Sequence, residues 1–131
     1  MFALTRHETK QIMAGQAGGV ARIYDVCPHE IGMQMHMTSK FLDQSGRSIP
    51  FVKVQIVSLR PGTCGQFRKD QQQAKTDGYE NAAMWHGQMN VMYQGIKDSA
   101  KMTHIKFRVL ELDREAGRRP NIKKAQKEDT F

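Results

Sequence analysis

Residues 49–59 read IPFVKVQIVSL, the longest strand-like run in the chain. In an extended backbone Val52, Val54 and Ile56 share one face, and Lys53, Gln55 and Val57 share the other. Period-two alternation rich in β-branched residues marks a half-buried strand, because successive side chains leave on opposite sides. Such a strand must be paired, so the chain has to supply a sheet around it. The run ends in Arg60-Pro61-Gly62-Thr63. Proline presets φ at the second turn position and glycine accepts positive φ at the third, so a type II turn is expected there. That corner would present Arg60, Thr63, Arg68 and Lys69 together.

The remaining segments provide partners for this strand. Phe2-Ala3-Leu4-Thr5 reads as a short buried strand. Residues 6–14 read as a helix: Thr5 and Glu8 have capping-box spacing, Ile12 and Met13 form a narrow apolar face, and Gly15 stops it. Gly15-Gln16-Ala17-Gly18-Gly19 is a glycine-rich loop without the Lys-Ser/Thr ending of a nucleotide P-loop. Residues 20–26 are strand-like, with Val20, Arg22 and Tyr24 on one face. Met33-Gln34-Met35-His36-Met37 alternates again, residues 40–43 continue it, and a hairpin-type loop covers 44–47. Residues 65–74 suit a short helix or a loop. Residues 80–94 read as a helix capped by Asp77 or Asn81, with Trp85, Met89 and Met92 on one face and Gly95 as its stop. In the last strand, 104–112, Ile105, Phe107 and Val109 oppose a basic face of His104, Lys106 and Arg108. Strands dominate without a regular βαβ rhythm, which argues for an α+β fold with a mostly antiparallel, curled sheet.

At 131 residues the chain is long enough for one domain and one core. No apolar run approaches the ~20 residues that cross a bilayer, and MFALTRHETK is too polar for a secretory signal. A cytoplasmic protein with no membrane contact is therefore expected, and its two cysteines, Cys27 and Cys64, are expected to be reduced thiols. Neither Cys27-Pro28-His29 nor His36 has C-x-x-C or H-x₃-H spacing, so no metal or other cofactor is expected. Nine methionines read as adaptable core packing. The net charge is +7: residues 1–113 carry 14 Lys and Arg against 10 Asp and Glu, and residues 114–131 carry 6 against 3. The second segment, REAGRRPNIKKAQKEDTF, has no apolar period and reads as a basic, mobile tail on a single domain spanning 1–113. Positive charge on both parts favours a polyanionic partner.

FALTRHETKQIMAGQAGGVARI is similar to the opening of ASCH domains, of the PUA-like superfamily. Those begin with a strand, a helix ending near a glycine, and Gly-x-Lys-x-x-Glu-x-Arg leading into the next strand. Gly15 and Arg22 stand at the ends of that pattern, while Ala17 and Val20 replace its lysine and glutamate. The IVSLRP strand, the Gly-Tyr turn, the Trp-bearing helix and the HIKFRVLEL strand follow in the family's order, so the resemblance spans residues 2–112. It implies a PUA-like curled, mostly antiparallel β-barrel of five to six strands with two to three helices. Enzymatic relatives resemble amidohydrolases acting on acylated cytidine, in which the lysine serves as nucleophile or base. Alanine at position 17 cannot do that work, so the resemblance implies binding without that chemistry.

The expected ligand is nucleic acid, RNA in particular, held in a cleft beside the Arg60 corner. Arg22, Arg60, Arg68 and Lys69 would neutralise phosphates, Thr63 would hydrogen-bond, and Tyr79 would stack on a base. For Arg22 an ion pair with Asp25 or Glu30 is the structural alternative, and Trp85 is expected in the core. His86 stands alone, with no catalytic partner at a fixed spacing. A monomer is expected. The alternatives are a hydrolase acting on a modified nucleoside or RNA, and a small protein-binding adaptor of viral or mobile-element origin.

Overall fold

The computed structural model describes residues 2–116. In chain order the elements are β1 (Phe2–Ala3), α1 (Arg6–Met13), β2 (Gly19–Ile23), β3 (Gln34–Ser39), β4 (Ile49–Thr63), α2 (Cys64–Phe67), α3 (Gln71–Thr76), α4 (Ala82–Met92) and β5 (Lys101–Leu112). The strands form one sheet in the order β1-β3-β4-β5-β2, antiparallel throughout except for the parallel β1–β3 pair. It curls into a half-barrel, so the α+β expectation holds. Four helices form rather than two or three, because the glutamine-rich stretch after β4 folds into the short helices α2 and α3. The strand continuation expected at 40–43 is a bend instead. No described helix is long and apolar enough to cross a membrane.

The corner expected at Pro61-Gly62 does not exist. β4 runs straight through it, pairing Pro61 with Thr103, Gly62 with Met102 and Thr63 with Lys101 of β5. The ladder to β3 ends at Gln55, with Ile56 still bonded to Gly32 and Met33, so beyond Ile56 β4 is paired on one side only. A proline lacking its N–H is tolerated on such an open edge. Gly62 is explained by crowding rather than by φ: a Cβ there would lie 3.0 Å from the Phe67 ring. The chain turns one step later, where Thr63 caps α2 through a reciprocal capping box with Gln66. Register shifts in the β4–β5 ladder at Lys53/Val54 and Ile56/Ser58 sharpen the curl.

A core lies on each face of the sheet, the outer one covering only part of its face. Val20, Met37, Val54, Ile56, Ile105 and Phe107 meet Ile12 of α1 and Leu4 in an inner core. Ala21 and Met102 point the other way, into an outer core with Phe67, Ala74, Trp85 and Met89 from the helices. Each buried large apolar side chain contributes about 1.5–3 kcal/mol. The expected capping box of α1 forms, with Thr5 N donating to Glu8 Oε1 at 2.9 Å and Glu8 N to Thr5 Oγ1 at 3.2 Å. Asn81 caps α4 (Met84 N to its Oδ1, 2.9 Å), while Asp77 is buried elsewhere. Arg114 Nη1 donates to Met13 O at 2.8 Å, and Ala116 packs on the inner core. The rest of the expected basic tail, and its mobility, lie outside the described residues.

Gly19 sets the spacing of the outer layer. A Cβ on it would fall 2.6 Å from Asp77 Oδ1 and 2.7 Å from His104 Nε2, so this pair lies directly over bare backbone. Gly19→Ala is therefore expected to destabilise the fold by about 1–3 kcal/mol through overpacking. Gly87, inside α4 with nothing near its missing Cβ, gives the opposite expectation. Gly87→Ala should stabilise by about 0.5–1 kcal/mol through helix propensity. Urea midpoints of the two variants measure both signs.

Candidate functional site

Arg22 projects from β2 and finds its partner on α1. Its Nη1 donates to Glu8 Oε2 and its Nη2 to Glu8 Oε1, both at 2.7 Å. The same two nitrogens donate to Ala21 O (2.9 Å) and Ala3 O (3.0 Å), and the guanidinium lies 4.7 Å from the Phe2 ring centroid. The side chains are 12% and 4% exposed. Burial alone would lower the Arg22 pKa, but the Glu8 hydrogen bonds and charge outweigh it and hold the guanidinium above its ordinary value. The phosphate contact expected of Arg22 thus gives way to its structural alternative, an ion pair, made with Glu8 of the α1 cap rather than with Asp25 or Glu30.

The other anticipated residues fall around α2 but are largely engaged. Arg60 points to the outer face, donates to Asp70 Oδ2 at 2.7 Å and lies 5.1 Å from the Phe67 ring. Asp70 in turn caps α3, and the Gln73 N–H and then Arg60 hold its carboxyl below the usual range. Arg68 Nη1 contacts both oxygens of Asp98, at 2.9 and 3.2 Å. Lys69 is exposed. Tyr79 is 6% exposed and stacks on His7 at a centroid distance of 4.0 Å, so its ring is withdrawn from any base. Burial, followed by the Glu8 and Asp77 charges, pushes its phenol pKa up.

His104, expected on an outer basic face, is buried against Asp77 with a ring nitrogen 2.7 Å from Oδ1. Gln73 Nε2 donates to the other oxygen at 2.7 Å. Burial raises the Asp77 pKa against these two contacts, which act in the opposite direction. Nothing in the local spacing of residues 73, 77 and 104 announces this group.

An accessible concavity lies where the end of β2, the end of β4 and the start of β5 meet. It has a volume of about 580 Å³. Leu59, Pro61 and Thr63 of β4 and Thr103 of β5 share its lining with Tyr24, Cys27 and His29 from the segment after β2. Tyr24 Oη lies 3.3 Å from His29 Nε2, and the two rings meet edge to face at 5.8 Å. Burial lowers the His29 pKa, which favours a neutral imidazole. One cation and one anion line the space, Lys101 and Asp25, 4.0 Å apart. The cleft therefore adjoins the anticipated segment, yet only Thr63 of the six anticipated residues lines it. Outside it, Cys64, His86 and Asp98 bring three donor atoms within 4.8 Å of one another.

No protein-family model matches the sequence, and no curated protein matches it. Solved structures do. An ASCH domain from Lactobacillus crispatus superposes with a TM-score of 0.60 at 11% identity, over 84% of this chain and 80% of that one. A DUF984 protein from Enterococcus faecalis gives 0.61 at 12%, over 84% and 71%. A mutant of the ASCH protein of Zymomonas mobilis gives 0.53 at 10%, over 99% and 95%. The fold is ASCH-like. Under the sequence resemblance, the ASCH motif lysine and glutamate align with Ala17 and Val20, and both pack into or against the inner core rather than line the cleft.

Two outcomes follow from this geometry. Arg22→Met strands a buried carboxylate and is expected to cost about 3–5 kcal/mol, read from urea unfolding. Stability is also expected to fall with acidification through His7. Burial lowers its folded pKa below the ordinary value of about 6.5, so its contribution is complete above that pH and is lost as pH drops through the folded value. His7→Phe, which keeps the stack on Tyr79, should flatten the decline of the urea midpoint between pH ~7 and ~5. A residual slope from His29 should remain.

Proposed function

We propose that this protein is a nucleic-acid-binding module, with RNA as the ligand, that seats an unpaired base in the cleft between β2, β4 and β5. One observation carries this reading. A concavity of about 580 Å³ has an aromatic rim, Tyr24 and His29, over hydroxyl-bearing walls, Thr63 and Thr103. Aromatic rings stack on any base, and unstacked single-stranded bases are what RNA-binding modules of this kind take in. The net charge of +7 supplies attraction toward the sugar-phosphate chain, with Lys101 at the cleft. Because Arg60 and Arg68 are held by Asp70 and Asp98, they contribute less than their charge suggests.

The test is fluorescence anisotropy with a labelled single-stranded RNA over a salt series. Tyr24→Ala is expected to cost about 1–3 kcal/mol of affinity, the value of one stacked base. Lys101→Ala should weaken binding and reduce the salt slope by about one phosphate contact. Arg60→Ala with Arg68→Ala should change affinity by less than either. Absence of binding at low salt, or indifference to both Tyr24→Ala and Lys101→Ala, sinks the proposal. Cys27 and His29 sharing the cleft favour a second reading, hydrolysis of a modified nucleoside. Turnover of an acylated nucleoside that disappears in Cys27→Ala would establish it instead.

A further inference from the structure

We infer that Cys64, His86 and Asp98 form a site for one thiophilic divalent transition ion, Zn²⁺ being the best match. A sulfur, an imidazole nitrogen and a carboxylate oxygen lie within 4.8 Å of one another. The residues come from the start of α2, the middle of α4 and the loop before β5, so no sequence spacing reveals them. With Zn–S near 2.3 Å and Zn–N near 2.0 Å, donors of a tetrahedral site sit about 3.5 Å apart. The three donor atoms, all within 4.8 Å of one another, therefore need to close by no more than about 1.3 Å. A thiolate and an imidazole select zinc-like ions over magnesium or calcium, which prefer all-oxygen shells.

The surroundings resemble a prepared site in three respects. First, the backbone holds the donors together: Cys64 N donates to Ala100 O at 3.0 Å and Gly65 N to Asp98 O at 2.9 Å. Gly65 permits this approach, since a Cβ there would lie 3.1 Å from Asp98 Cβ. Second, the His86 Nε2 atom is buried and has no hydrogen-bond partner among the described residues. A buried ring nitrogen left unpaired calls for an explanation, and a metal ion bound at this atom supplies one. Third, Arg68 grips Asp98 from outside and orients its carboxylate, as outer-shell partners of metal ligands do. Asp98 is 61% exposed, which gives an ion a way in beside the fully buried Cys64. Three protein ligands leave the fourth position to water.

The experiment uses the full chain, stripped with a chelator and titrated with Co²⁺ and then with Zn²⁺. One equivalent of Co²⁺ should produce a near-ultraviolet thiolate-to-cobalt charge-transfer band, and one equivalent of Zn²⁺ should remove it. Cys64→Ser should abolish the band, and Cys27→Ser should leave it intact. His86→Gln and Asp98→Asn, both outside the fully buried core, should each weaken Co²⁺ binding roughly tenfold or more with circular dichroism unchanged. No band in the parent protein overturns the assignment. So does a band that survives Cys64→Ser or is lost with Cys27→Ser, or parental affinity in both His86→Gln and Asp98→Asn. The last pair keeps the test decisive where Cys64→Ser fails to fold.

Discussion

The contact between Glu8 and Arg22 closes a sheet that its own backbone leaves open. β1 and β2 are the two edges of the half-barrel and share no ladder. Arg22 of β2 reaches Ala3 O of β1 and stacks over Phe2, while Glu8 ties the same guanidinium to the first turn of α1. Removing two charges from water is costly, and such a pair holds only when its remaining hydrogen-bonding capacity is met. Here four donor contacts, two to carboxylate and two to carbonyl oxygens, meet most of it. The Glu8 carboxylate also completes the α1 cap through Thr5 N. One residue thus fixes where a helix begins and how far apart two edges stand. Tyr24 follows two positions after Arg22, so the aromatic rim of the cleft inherits its position from the Glu8–Arg22 pair.

On the outer side the organising group is again polar and buried. Gln73, Asp77 and His104 join the end of α3 to β5, and the absent side chain of Gly19 lets them lie on β2. Gly18 N donates to Thr76 O and Phe107 N to Gly18 O, so the glycine-rich loop is pinned between α3 and β5. Of its glycines, Gly19 serves close packing and Gly15 takes the positive φ that ends α1. A phosphate cradle would need those N–H groups free, and at Gly18 the N–H is taken.

The sequence was informative wherever the deciding interaction was local. The period-two runs of β3 and β4 and the Thr5–Glu8 box needed only neighbours within four residues, and they form as read. So does the Trp85–Met89–Met92 stripe, which packs into and against the outer core. Pro61-Gly62 shows the limit of that approach. The dipeptide satisfies the chemistry of a turn, but pairing with β5 and the Phe67 ring behind Gly62 decided the outcome, and both lie outside the dipeptide. The candidate site failed for the same reason. Arg60 and Arg68 read as free cations, and Arg22 as a phosphate contact or a partner of Asp25 or Glu30, because the partners they take sit 10, 30 and 14 residues away. The cleft residues Tyr24, Cys27, His29, Lys101 and Thr103 carry no motif, and only the curl of the sheet gathers them.

Charge acts differently on the two sides of this molecule. The exposed pairs Arg60–Asp70 and Arg68–Asp98 are worth roughly 0–1 kcal/mol each, so a phosphate can compete for those guanidiniums. It cannot remove the carboxylates: Asp70 stays in place as the α3 cap, and Asp98 is tethered through its backbone to Gly65. Any phosphate arriving there meets an anion beside each cation, which blunts the attraction. The cleft is balanced too, with Lys101 facing Asp25. On the proposed reading, selection in such a place comes from shape and stacking, while the net positive charge of the chain acts at a distance, where screening makes it sensitive to salt and indifferent to sequence.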